Sequence, residues 1–141
     1  MLRRQYINWV WLVVMLAMLV AAGCRGSDTA QVRHLPARQA ATLIDRHNGD
    51  PQFVIIDVRT PAEYQQGHIA GARLMDYYGS GFQQSLEQLD RAKAYFFYCR
   101  SGNRSGRTMN MIADMGFKNV YHLEGGIMQW QAQGLPLVKT P

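Results

Sequence analysis

Cys99, Arg100, Gly102, Arg104 and Ser105 lie close together in the sequence and supply the parts of a nucleophilic anion site. Ahead of them, Tyr95-Phe96-Phe97-Tyr98 is an aromatic run with the composition of a buried strand. Behind them, Ser105 opens a segment with helical spacing. The thiol is therefore expected at the carboxyl end of a strand, with loop N–H groups and the start of a helix turned toward it. Such a concavity favours negative charge, because unpaired N–H groups and the helix dipole both attract it. A cysteine held there is expected to ionise more readily than a free thiol, and the thiolate is the nucleophile. Arg100 and Arg104 add fixed positive charge, with Arg107 a turn further on. The chemistry this predicts is displacement by a thiolate on an anionic substrate.

The elements that must position this loop follow from the apolar pattern. Phe53-Val54-Ile55-Ile56 is a continuous apolar run, as a strand buried on both faces requires. Asp57 closes it, and Pro61 begins a short helix through Glu63 and Tyr64. Val32–Leu35 reads as a first short strand. Pro36 suits the first turn of a helix that carries Ala40, Leu43, Ile44 and His47 on one side, and Asn48-Gly49-Asp50-Pro51 is a turn by composition. Ser105–Met115 reads as a helix with Met111, Ile112 and Met115 inward, Val120–Leu123 as a strand, and Ile127–Gln133 as a last helix with Trp130 in the core. Strands alternating with helices predict an α/β fold, a parallel sheet with helices on both faces. In such sheets ligands bind beyond the carboxyl ends of the strands, where Cys99 falls. Arg59 and Glu63 are four apart and are expected to pair across a helical turn. Asp57, at a strand end beside the site, either orients a substrate or caps a turn, and the cap is preferred. His34, His47 and His122 have no metal-ligand spacing, so no metal is expected.

Cys99-Arg100-Ser101-Gly102-Asn103-Arg104-Ser105 resembles the active-site loop of the rhodanese-type sulfurtransferases. Asp57-Val58-Arg59-Thr60-Pro61-Ala62-Glu63-Tyr64 with Gly67-His68-Ile69-Ala70-Gly71-Ala72 is similar to the family's amino-terminal signature. Gly116-Phe117, Asn119-Val120, Leu123-Glu124-Gly125-Gly126, Trp130 and Gly134-Leu135-Pro136 are similar to its carboxyl-terminal pattern. The resemblance implies a rhodanese-like domain over residues 32–138, with Cys99 as catalytic nucleophile. It implies a substrate-binding loop of Arg100, Ser101, Gly102, Asn103, Arg104 and Ser105, and structural roles near the site for Asp57, Arg59, Glu63 and His68. The implied reaction moves a sulfane sulfur from a small anionic donor such as thiosulfate, through a Cys99 persulfide, to cyanide or a thiol, without a cofactor. Phosphatases and arsenate reductases of the same fold are the first alternative. They separate cysteine and arginine by five residues, whereas four lie between Cys99 and Arg104 here. A non-catalytic rhodanese-like binding module is the second; such modules often lack the cysteine.

Arg3 and Arg4 precede an apolar run over residues 9–23 that carries no charge, which is how an export signal reads. The run is short of the roughly 20 residues of a membrane span. Val20-Ala21-Ala22-Gly23-Cys24 resembles a bacterial lipoprotein box, which implies acylation of Cys24. The expected organisation is a signal or retained anchor over 1–23, a tether over 24–31 and the catalytic domain beyond, exported and membrane-anchored on the periplasmic side of a bacterial envelope. The formal net charge is +5, from 15 Lys+Arg against 10 Asp+Glu, and two of the arginines are Arg3 and Arg4. No block of basic residues remains, which argues against a nucleic-acid partner. Of the two cysteines, only Cys99 stays free if Cys24 carries lipid. An unpaired thiol in an oxidising compartment is retained where its chemistry is used.

Overall fold

The computed structural model describes residues 30–139. Cys24, the apolar run and most of the expected tether lie outside the described residues. Among the described residues, no helix is long and apolar enough to cross a membrane.

The chain alternates β1 (Gln31–Leu35), α1 (Ala37–Arg46), β2 (Phe53–Asp57), α2 (Pro61–Gln65), β3 (Arg73–Leu74), α3 (Phe82–Glu87), β4 (Ala94–Tyr98), α4 (Asn103–Ile112), β5 (Asn119–Leu123) and α5 (Gly126–Ala132). The strands form one sheet in the order β1-β5-β4-β2-β3, every pairing parallel. This is the α/β rhodanese-like architecture that the sequence predicts. β3 and α3 lie in a stretch where the sequence reading assigns no element. With two and six residues, they are too short to show a periodicity.

Alternate residues of the central strands enter two cores. On one side, Phe53, Ile55, Phe96 and Tyr98 meet Ala37 and Ala40 of α1 and Ile127 and Trp130 of α5. On the other, Val54, Ile56, Tyr95, Phe97 and Cys99 meet Phe82 and Leu86 of α3 and Met109 and Ile112 of α4. Every residue of β2 is buried, in keeping with its uninterrupted apolar run. The parity of β4 then sends Cys99 toward α4.

α4 starts two residues before Ser105, because Gly102 adopts φ +91° and turns the chain into the helix. Ser105 consequently lies in the first turn, facing back toward Cys99. The helix ends at Ile112, earlier than Met115, where the N–H of Met115 closes a turn on the Ile112 carbonyl at 3.0 Å.

Candidate active site

Cys99 follows the last residue of β4 and is 1% exposed. Two donors reach its sulfur: the Gly102 N–H at 3.1 Å and the Ser105 hydroxyl at 3.3 Å. Both stabilise negative charge on Sγ, since a hydrogen bond to an ionised acceptor is about twice as strong as one to a neutral acceptor. The loop backbone is gripped from below by α5, whose Ile127 and Met128 N–H groups donate to the Cys99 and Arg100 carbonyls at 2.8 and 3.1 Å. That contact requires Gly126. A Cβ there would stand 2.5 Å from both carbonyl oxygens, and φ is +60°. The Gly125-Gly126 pair in the sequence is thus a seat for the cysteine loop.

The Arg100 side chain is exposed and forms no hydrogen bond or ion pair among the described residues. It stands at the edge of a groove of about 530 Å3 that Arg59, Glu63, Gln66, Met128 and Leu137 also line. Ser101 and Asn103 are exposed on the rim. Arg104 is turned away from solvent into a two-pronged contact with Glu63, at 2.8 and 2.7 Å, and its guanidinium lies over the Tyr78 ring at 5.7 Å. The Cys99 sulfur lies close enough to raise the Arg104 pKa further, after the larger effect of Glu63. The charge that Arg104 brings to the cup is therefore shared with a carboxylate.

The expected Arg59–Glu63 pair does not form. Arg59 closes on Asp57 instead, with contacts of 2.7–3.0 Å from Nε and Nη2 to the carboxylate, and a further 2.7 Å bond from Nη2 to the Gly67 carbonyl. The physical reason is burial. Asp57 is fully buried and Arg59 is 5% exposed, and each needs an opposite charge at contact distance. Burial opposes the charge on Arg59, but the Asp57 carboxylate outweighs it and holds the guanidinium pKa above its ordinary value. Asp57 also accepts from the Arg59 N–H at 2.9 Å, capping the turn after β2. His68 is buried, its ring stacked on Tyr64 at 3.7 Å, with Nδ1 3.1 Å from the Tyr64 carbonyl. Its backbone exchanges two 2.9 Å hydrogen bonds with Val138.

Glu63 also completes a capping box at the start of α2, accepting from the Thr60 N–H and hydroxyl at 3.0 Å each. The hydrogen bonds from Arg104, with those from Thr60, hold its carboxyl down to about 2 against the opposing effect of burial. A folded value below the ordinary 4.5 stabilises the protein above that pH, and the benefit is lost as pH falls toward 2. The melting temperature of the wild type is therefore expected to fall more steeply between pH 4.5 and 2 than that of Glu63→Gln. Parallel acid limbs in the two proteins would show that the pair adds nothing to stability.

Two histidines that the sequence shows only to lack metal-ligand spacing belong to the site through hydrogen bonds instead. His122 on β5 is 6% exposed and places Nε2 2.9 Å from the Ser105 hydroxyl oxygen. Its Nδ1 lies 2.9 Å from Nδ1 of His34, its register partner on β1. A polar residue inside the apolar Val120–Leu123 run was the available signal.

Comparison with known proteins gives a consistent picture. A family model described as a rhodanese-like domain matches residues 39–133. A tRNA uridine(34) hydroxylase of Pectobacterium carotovorum is 36% identical over 113 residues, covering 74% of this chain and 31% of that protein. A rhodanese-related protein of Thermoplasma volcanium superposes with a TM-score of 0.65 at 29% identity, covering 77% of this chain and 99% of that one. A protein of unknown function from Rhodopseudomonas palustris, described as a possible tyrosine phosphatase, gives 0.61 at 29% identity, covering 76% and 85%. The chain spans between 31% and 48% of the length of the first curated relatives it matches.

Proposed function

The chain belongs to the rhodanese-like domain family, and on that footing we propose that it is a sulfurtransferase whose carrier is a persulfide on Cys99. The observation that carries the reading is the pair of donors aimed at Sγ, in a cup that has one uncommitted cation, Arg100, at its rim. In the first displacement, Sγ as thiolate attacks the outer sulfur of thiosulfate. A new S–S bond forms, the S–S bond of the donor breaks, and sulfite leaves with its electron pair. In the second, cyanide or a thiolate attacks the outer sulfur of the persulfide, takes it, and returns the electron pair to Sγ. Covalent catalysis of this kind divides one difficult transfer into two easier ones. The terminal persulfide sulfur is anionic, and Arg100 is positioned to draw the anionic donor by charge-assisted contact. No step needs a metal, an organic cofactor or a general base at His68.

Arg104 enters this scheme as a brace more than as a free anion hook, since Glu63 already occupies its fork. The curated relative named as a tRNA hydroxylase is matched over less than a third of its length, and the charge distribution here gives little support to a tRNA partner.

The deciding experiment weighs the intact protein after thiosulfate treatment. A gain of one sulfur atom is expected, reversed on adding cyanide with release of thiocyanate. No gain with thiosulfate or with a low-molecular-weight persulfide would overturn the proposal. Hydrolysis of a phosphate ester faster than sulfur transfer would replace it with the phosphatase reading.

A further inference from the structure

Beneath the cup, four side chains form a continuous line from a buried sulfur to solvent. Cys99 Sγ is 3.3 Å from Ser105 Oγ, Ser105 Oγ is 2.9 Å from His122 Nε2, and His122 Nδ1 is 2.9 Å from His34 Nδ1. Cys99 and Ser105 are buried and His122 nearly so, whereas His34 is exposed on the edge strand β1. The two imidazoles face each other at register positions of neighbouring strands, with ring centroids 5.0 Å apart and planes at 81°.

We propose that Ser105, His122 and His34 are a proton exit for Cys99, and that His122 is the positioning residue which sets the direction of the Ser105 hydroxyl. The inference deepens the sulfurtransferase reading, but it concerns the thiol before any donor is bound.

The proton count closes over three hops. With Cys99 as the thiol, S–H donates to Ser105 Oγ, the Ser105 O–H donates to His122 Nε2, and His122 Nδ1–H donates to His34 Nδ1. Transfer of one proton along each bond leaves the sulfur as thiolate and restores the serine hydroxyl. It moves the His122 proton from Nδ1 to Nε2 and makes His34 an imidazolium, which releases its Nε2 proton to water. No electrons change hands. Every donor in the line now points at the sulfur: His34 Nδ1–H to His122, His122 Nε2–H to Ser105, and the Ser105 hydroxyl to Sγ. One proton leaving at the surface thus reverses the whole line and stabilises the charge it leaves behind.

The line works only while His122 is neutral, because an imidazolium has no lone pair to accept from Ser105. Burial, and then the neighbouring His34, lower the His122 pKa below its ordinary value. The groups acting on His122 are His34 from β1, the Gly102 carbonyl from the cysteine loop and Glu124 just past the end of β5, the last two opposing the shift. Ser105 also lies 3.3 Å from the Gly102 carbonyl, the alternative acceptor to which its hydroxyl turns when nothing directs it to Sγ. Gly102 N–H keeps its own bond to Sγ throughout. Sulfur burial gives the line its purpose. The thiol is 1% exposed even with the cup empty, and the line gives its proton a way out that does not cross the mouth of the cup.

The test is alkylation of Cys99 by iodoacetamide in the absence of any sulfur donor, followed by intact mass at pH 7 and pH 10. A hydrogen bond to a charged group is worth a factor of about ten or more. His122→Phe is expected to slow alkylation about tenfold at pH 7 and little at pH 10, where hydroxide removes the proton directly. His34→Ala, on the surface and without risk to the core, is expected to slow it in the same sense by a smaller factor, about threefold. Equal rates for wild type and His34→Ala at pH 7 would overturn the exit, and so would equal losses at both pH values, which mark a structural defect. Because alkylation needs no sulfur transfer, failure here leaves the persulfide chemistry standing. Normal alkylation without any thiosulfate mass gain sinks the sulfurtransferase reading alone.

Discussion

Cys99→Ser is expected to abolish thiosulfate-to-cyanide transfer, by roughly 10⁴-fold or more, while the protein still folds. The hydroxyl is not appreciably ionised near neutral pH and cannot carry a sulfane sulfur, so both displacements lose their carrier. The fold has little reason to notice. The Gly102 N–H and the Ser105 hydroxyl, now donating to Sγ, find an oxygen in its place. The loop carbonyls remain tied to Ile127 and Met128. Steady-state thiocyanate release and a thermal melt measured on the same sample check both halves. A variant that turns over at the wild-type rate would remove Cys99 from the chemistry. A variant that does not fold would mean that the sulfur is a core element first.

The second large effect belongs to Arg59→Ala, and it is on stability. Asp57 is 0% exposed, and Arg59 supplies the fork that compensates it, so truncation strands a buried carboxylate. Breaking one partner of a buried pair costs about 3–5 kcal/mol. In a domain of this size that corresponds to a fall in Tm of roughly 10–20 °C. The Gly67 carbonyl loses a 2.7 Å donor as well, loosening the turn that leads to His68. Adding Asp57→Asn to Arg59→Ala is expected to recover part of the loss, because the uncompensated charge goes with it. A drop in Tm of only a few degrees for Arg59→Ala would show that water or another cation reaches Asp57. If the double variant were no more stable than the single one, the cost would lie in the lost Arg59 packing.

The contrast between what could and could not be read in the chain is physical. The cysteine loop was legible because everything in it is local: an apolar strand, a glycine that must turn, a helix start and a nucleophile, all within about ten residues. The parallel sheet followed from the uninterrupted apolar runs of β2 and β4. The ion pairs did not follow. Arg59 stands closer in sequence to Asp57 than to Glu63, and helical spacing favoured the wrong partner because it ignores depth. Glu63 finds Arg104 across 41 positions, a pairing created when β2 and β4 become neighbours. The His34–His122 contact spans 88 positions and depends on the register of β1 against β5, which no local pattern encodes. β3 and α3 were invisible because two and six residues cannot express a period.

The depth of Cys99 also bears on the covalent fate of the folded protein in air. A disulfide needs its two sulfurs about 2.05 Å apart and the attached Cβ atoms within about 4.5 Å. A sulfur 1% exposed at the floor of a cup cannot be met on those terms by the same sulfur of a second molecule, whose own cup walls collide first. Cys99 is the free cysteine among the described residues, so the folded domain has no route through it to a cross-linked dimer. Small oxidants are under no such restriction, and peroxide can carry the sulfur up the sulfenic ladder one molecule at a time. Ageing of the folded domain at Cys99 is therefore monomolecular in its product: sulfur oxyacids on single chains, without cross-links through that sulfur.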